Sequence, residues 1–157
     1  MTKDHTPAKT RLLHTMLRVA DLDRSLVFYC EQLGMVVRRR LDFRDDRFSL
    51  IYLGYGDDRE ETVVELTWNW DQAAPYEHGN AYGHLGIGVA DLHQFCQGLA
   101  DKGVTITRQP GEMGRSGIHI AFIVDPDGYR IELIQLPYPL ESMGEHVTYG
   151  REGVVAG

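Results

Sequence analysis

A histidine followed at a fixed offset by Val-Ala-Asp-Leu occurs twice in this chain, as HTMLRVADL over residues 14–22 and as HLGIGVADL over residues 84–92, seventy residues apart. A duplication on this scale constrains the fold more than composition can, because each copy must build the same kind of unit as the other. Both copies run on into apolar residues at helical spacing: Leu22, Leu26, Phe28, Tyr29 and Leu33 in the first, and Leu92, Phe95, Cys96 and Leu99 in the second. Asp21 and Asp91 stand where an N-cap belongs, and Gly34 and Gly103 where a helix should end.

After each helix come three apolar, β-branched stretches separated by turn residues. They cover residues 35–43, 48–55 and 62–68 in the first copy, and 104–109, 118–124 and 129–136 in the second. The last strands align as TVVELT and YRIELI, which sets Glu65 opposite Glu132. The spacing from histidine to glutamate is 51 residues in one copy and 48 in the other, a difference that turns absorb easily. The reading is an α+β chain of two βαβββ modules forming curved mixed sheets. A disordered tail covers 1–10, the first module 11–68, a linker 69–82, the second module 83–136 and a loosely ordered tail 137–157. Asp125-Pro126-Asp127-Gly128 supplies the turn before the final strand.

Composition narrows the function classes. A formal charge of −7 argues against a nucleic-acid partner, which needs a basic surface, but not against a small anionic ligand held by one or two arginines. Cys30 and Cys96 are the only cysteines, too few for a disulfide framework, and both fall in helical segments with apolar neighbours. No apolar run is long enough to span a membrane, and residues 1–9 lack the apolar stretch of a secretory signal. A cytoplasmic protein with no membrane partner is expected.

Strand alternation puts His14, Met16 and Arg18 on one face, and Glu65, Thr67 and Asn69 on one face of the fourth strand. The second module repeats the pattern with His84, Gly86 and Gly88, then Arg130, Glu132 and Ile134. A single strand histidine or glutamate is usually a surface or satisfied residue. Glu65 and Glu132, however, interrupt apolar strings (VVELT, RIELI) where an unpaired carboxylate is costly, and both recur beside a recurring histidine. Two imidazoles and two carboxylates directed at one axis are a donor set for a divalent metal. His5, His78, His93, His119 and His146 have no counterpart in the other copy and are expected to play no part in the site.

The segments RLLHTMLRVADLDRSLVFY, VVELTWNW, AYGHLGIGV and AFIVDPDGYRIELI resemble the vicinal-oxygen-chelate superfamily, and within it short bacterial-type glyoxalase I, the lactoylglutathione lyases. The resemblance extends from Arg11 to about Leu136. It implies the glyoxalase fold, with His14, Glu65, His84 and Glu132 as ligands of one divalent metal. It also implies glutathione binding by Arg18 and Asn69, both on the ligand-bearing face. Arg115, in the glycine-rich loop 111–117, is a further candidate for a glutathione carboxylate. Nickel-type members are similarly short, which puts Ni²⁺ ahead of Co²⁺ and Zn²⁺, although ligand chemistry alone does not separate them.

The reaction so implied isomerises the hemithioacetal of methylglyoxal and glutathione to S-D-lactoylglutathione through a metal-stabilised enediolate, in methylglyoxal detoxification. Glu132 is the implied base, with Glu65 serving the opposite substrate enantiomer. Relatives of this type imply a homodimer in which each metal draws ligands from both protomers. Three other readings share the fold. An extradiol-type dioxygenase uses two histidines and one glutamate, and Glu65 would fill an oxygen-binding position. A metal-dependent thiol transferase also lacks the fourth ligand. A metal-free drug-binding module has no need of the quartet.

Overall fold

The computed structural model of the chain describes residues 10–72 and 74–143, and the chain divides into two compact units, Met1–Glu77 and His78–Gly157. That division falls inside the segment read as a linker, 69–82. Residues 1–9 and 144–157, with most of the two expected tails and with His5 and His146, lie outside the described residues.

In the first unit, β1 (His14–Val19) leads into α1 (Leu22–Leu26), which continues as a π-helical segment (Val27–Gln32) before β2 (Val36–Phe43), β3 (Phe48–Gly54) and β4 (Val63–Asn69). The sheet order is β1-β4-β3-β2, with β1 and β4 parallel and the other pairs antiparallel. The second unit repeats this plan with β5 (Leu85–Val89), α2 (Leu92–Asp101), β6 (Ile106–Glu112), β7 (His119–Val124) and β8 (Arg130–Gln135), in the order β5-β8-β7-β6. Of the four edge strands, β2 and β6 carry irregularities: the β2–β3 register shifts between Val37 and Arg39, and the β6–β7 register shifts on both sides of Arg108.

The helices start and stop where their sequences dictate. Asp21 accepts a hydrogen bond from the Arg24 backbone N–H, and Asp91 accepts one from that of Gln94. Gly34 and Gly103 adopt φ of 77° and 80°, a left-handed conformation that a side chain would oppose. The first helix departs from regular spacing. A π-turn inserts an extra residue, which turns both Phe28 and Tyr29 into the core, while Ser25 rather than Leu26 is fully buried. Periodicity that assumes 3.6 residues per turn cannot register that shift. A second departure is α3 (Leu140–Met143), in the stretch expected to be loosely ordered. Pro139 immediately precedes it, and a proline suits the first turn of a helix, where its missing N–H is no loss.

Each helix covers one face of its own sheet. Val19, Tyr29, Leu53 and Leu66 form the completely buried centre of the first unit, and Leu92, Ile123, Ile131 and Leu133 that of the second. The opposite faces carry the histidines and glutamates. Among the described residues no helix is long and apolar enough to cross a membrane. Leu66 has no exposed surface, so Leu66→Ala should cost about 2–5 kcal/mol, read as a lower urea midpoint with an unchanged m-value.

Candidate metal centre

Alternation along β1 turns Leu17 and Val19 into the core and leaves His14, Met16 and Arg18 on the other face. The parallel β1–β4 register sets Met16 beside Glu65 and Arg18 beside Thr67, so Glu65, Thr67 and Asn69 share that face. His14 Nε2 consequently lies 3.1 Å from Glu65 Oε2. The carboxylate is nearly buried, and its other oxygen accepts a hydrogen bond from Thr67 Oγ1 at 3.3 Å. Directly across the β3–β4 ladder from Glu65 stands Tyr52. Burial first, and then the neighbouring Glu65 carboxylate, raise the Tyr52 phenol above its ordinary range. The Arg39 guanidinium, 4.3 Å from the ring centroid, works in the other direction. The Tyr52 ring also meets His14 edge-on, 5.6 Å between centroids.

The second unit builds the same pair from its own strands. His84 immediately precedes β5, and Glu132 sits on β8 between Gly86 on one side and Phe122 on the other. His84 Nε2 and Glu132 Oε2 are 3.0 Å apart. Phe122 meets His84 edge-on at 5.3 Å, as Tyr52 meets His14, and the Arg130 guanidinium covers the Phe122 ring at 4.5 Å. Gly86 and Gly88 stand where the first unit has Met16 and Arg18. A Cβ on Gly88 would come within 2.4 Å of Leu136 Cδ1, so the Leu136 side chain occupies the room that an arginine stem would need.

Each unit therefore contributes one imidazole nitrogen and one carboxylate oxygen, held together by strand register. Without a metal each pair is an imidazole–carboxylate hydrogen bond. The same spacing suits neighbouring ligands of one ion, since two donors about 2.1 Å from a metal and at right angles lie about 3 Å apart. Neither unit gathers three or more potential ligands among its described residues, so neither is a complete centre alone. Imidazole nitrogen and carboxylate oxygen are both donors that divalent transition metals accept.

Of the other residues singled out by sequence, Arg18 shares the His14 face and is exposed. Asn69 ends β4 on the Glu65 face and donates from Nδ2 to the Tyr76 hydroxyl at 2.9 Å. Arg115 lies on the exposed β6–β7 turn rather than on the sheet face that carries Glu132. Tyr52 and Phe122 join the site only through the pairing register, which sets them beside the glutamates. Among the unmatched histidines, His93 and His119 are exposed. His78 stacks on Tyr129 at 4.1 Å, with Nε2 buried and unpartnered among the described residues. A separate cavity of about 520 Å³ in the first unit is lined by Asp21, Asp23, Arg40, Trp68, Trp70 and Gln72, on the sheet face away from Glu65. Cys30 and Cys96 are free thiols that burial pushes toward the inert, protonated form.

The model of the Glyoxalase/Bleomycin resistance protein/Dioxygenase superfamily matches residues 11–133. A probable lactoylglutathione lyase of Vibrio cholerae is 50% identical over 125 residues, which are 80% of this chain and 90% of the relative. The solved glyoxalase I of Leishmania major, described as trypanothione-dependent, superposes with a TM-score of 0.74 at 44% identity, over 85% of this chain and 92% of that one. Glyoxalase I of Zea mays superposes with a TM-score of 0.76 at 39% identity over 80% of this chain, which spans only 44% of the maize protein.

Proposed function

The chain belongs to the Glyoxalase/Bleomycin resistance protein/Dioxygenase superfamily, and within it we propose that it is a glyoxalase I, a lactoylglutathione lyase acting on the hemithioacetal of methylglyoxal and glutathione. The observation that carries this reading is the pair of equivalent His–Glu contacts, His14 with Glu65 and His84 with Glu132, at matching positions of two repeated sheets. The superfamily's drug-binding members need no such donors, and a dioxygenase would have no use for the fourth. Glutathione is preferred to other thiols because the bacterial relatives bear that name.

His14, Glu65, His84 and Glu132 together would hold one divalent ion, with Ni²⁺ preferred to Co²⁺ and Zn²⁺. When bound, the ion supplies Lewis-acid stabilisation of the negative charge that develops on the two neighbouring substrate oxygens. Arg18 and Asn69 orient the adduct by its glutathione portion, and Arg115 is a further partner for a glutathione carboxylate. Glu132 takes the proton from the carbon that bears sulfur and hydroxyl and returns it to the adjacent carbonyl carbon. The hydroxyl proton passes to the neighbouring oxygen, so the first carbon ends as a thioester carbonyl, the second as an alcohol, and no atom is gained or lost. Glu65 serves the opposite enantiomer of the adduct.

The assembly that suits two incomplete pairs is a homodimer in which His14 and Glu65 of one protomer meet the second pair of its partner. A cytoplasmic setting fits the two free thiols and the glutathione supply. Metal-stripped protein reconstituted with Ni²⁺, Co²⁺ or Zn²⁺ should form thioester from methylglyoxal and glutathione, fastest with Ni²⁺; inactivity with every metal defeats the reading.

Three variants separate the roles. His84→Ala should lose metal and activity together, as metal analysis and a thioester assay will report. Glu132→Gln should lower kcat by two orders of magnitude or so while metal content changes far less. Arg18→Ala should chiefly raise KM, because its contact is already made in the ground state.

A subunit-mixing experiment tests the shared centre. One mutant carries His14→Ala with Glu65→Ala, and the other His84→Ala with Glu132→Ala. Each homodimer should be inactive, while the co-refolded heterodimer should regain one whole centre and about half the activity per dimer. Heterodimers that form and stay inactive would rule out sharing between protomers.

A further inference from the structure

The two units brace the turn between their first strand and their helix in different ways. In the second unit the Gln135 side chain, at the end of β8, bridges that turn. Its Oε1 accepts from the Leu92 N–H at 2.8 Å, and its Nε2 donates to the Ala90 carbonyl at 2.6 Å. The strand registers pair Val89 with Gln135 and Val19 with Trp68, so Trp68 holds Gln135's place in the first unit. An indole offers one N–H and no acceptor, so Trp68 cannot serve the Leu22 N–H as Gln135 serves that of Leu92. Where the second unit has a carboxamide of its own, the first has the cavity of about 520 Å³, lined by Ala20 and Leu22 of the turn and by Trp68.

The other walls suit a planar ring that carries hydrogen-bond donors. Trp68 and Trp70 both line the cavity, with ring centroids 6.1 Å apart and planes tilted by 40°. Trp70 is fixed in place, since its Nε1 donates to Ser49 Oγ at 2.9 Å and Ser49 is itself completely buried. Asp21 and Asp23 add two carboxylates, whereas the one lining guanidinium, that of Arg40, already donates to Asp42 at 2.9 Å. Such walls repel an anion and accept N–H groups. We propose that this cavity is a binding site for an aromatic carboxamide, a ligand that supplies from outside what Gln135 supplies within the second unit. Its oxygen accepts from the Leu22 N–H, its NH₂ donates to the Asp21 or Asp23 carboxylate, and its ring packs on Trp68 and Trp70. All the lining residues belong to the first unit and lie on the sheet face away from Glu65, so binding there requires no metal.

Trp68 and Trp70 are the only tryptophans in the chain, so indole fluorescence reports on this cavity directly. Benzamide is titrated into the full-length protein, with excitation at the red edge of the indole band, and compared with benzoate and benzamidinium. Benzamide should change the emission saturably with a Kd of about 1 mM, ordinary for so small a molecule. Benzoate has no N–H to donate and a charge that the aspartates repel, and should bind about tenfold more weakly. Trp68→Gln gives the first unit the second unit's own carboxamide. It should weaken benzamide binding about tenfold, read from Trp70, while the thermal midpoint holds or rises. If that variant does not fold, Asp23→Asn decides, and should narrow the preference for benzamide over benzoate about threefold. The proposal is overturned by the lack of a saturable change with benzamide, by equal affinity for benzoate, or by unaltered binding in whichever variant decides. Tighter binding of benzamidinium than of benzamide also overturns it, because the cavity would then select a cation rather than an amide.

Discussion

Everything in either unit follows from the parallel pairing of its first strand with its last. β1 leaves the sheet through a helix, two antiparallel strands intervene, and β4 returns beside β1 in the same direction. Only that return brings residue 14 next to residues 63–65, and only a register of even parity puts the imidazole and the carboxylate on one face. A slip of one residue in β4 would send Glu65 into the helix-covered core and bring Leu66 out beside His14. The register is protected because such a slip would also expose Leu66 and Val64, which are buried on the other side. The hydrophobic pattern that folds the unit thus also aims its polar pair.

Much of this plan could be read from sequence, since repeat, caps and parity are all local or self-similar signals. Asp21, Asp91, Gly34 and Gly103 act through the backbone within a few residues, so their roles do not depend on anything distant. His14 and Glu65 were paired by comparison with His84 and Glu132, each copy acting as a check on the other. What escaped is what depends on neighbours in space. The π-turn follows from packing both Phe28 and Tyr29 against the sheet, which no periodicity announces. Tyr52 sits thirteen residues from Glu65, within an apolar string that reads as core, and only the antiparallel register reveals it as that residue's neighbour across the ladder.

The two copies have diverged in a consistent sense. The first keeps polar and bulky groups on its inner face, with Met16, Arg18, Tyr52 and Thr67 around its pair. The second has Gly86, Gly88, Phe122 and Ile134 at those positions, with Leu136 folded over Gly88.

The irregular outer strands have a consequence for how the protein behaves when crowded. An open sheet ends in a row of unpaired backbone groups, and a straight, apolar edge invites a strand from another molecule to extend it. β2 shifts register at Val37/Arg39 and carries Arg38, Arg39 and Arg40 in succession, while β6 is interrupted twice and contains Pro110. Like charges repel an approaching copy of the same strand, and a proline offers it no N–H. The β2 and β6 edges are thereby poor templates for a copy of the same strand.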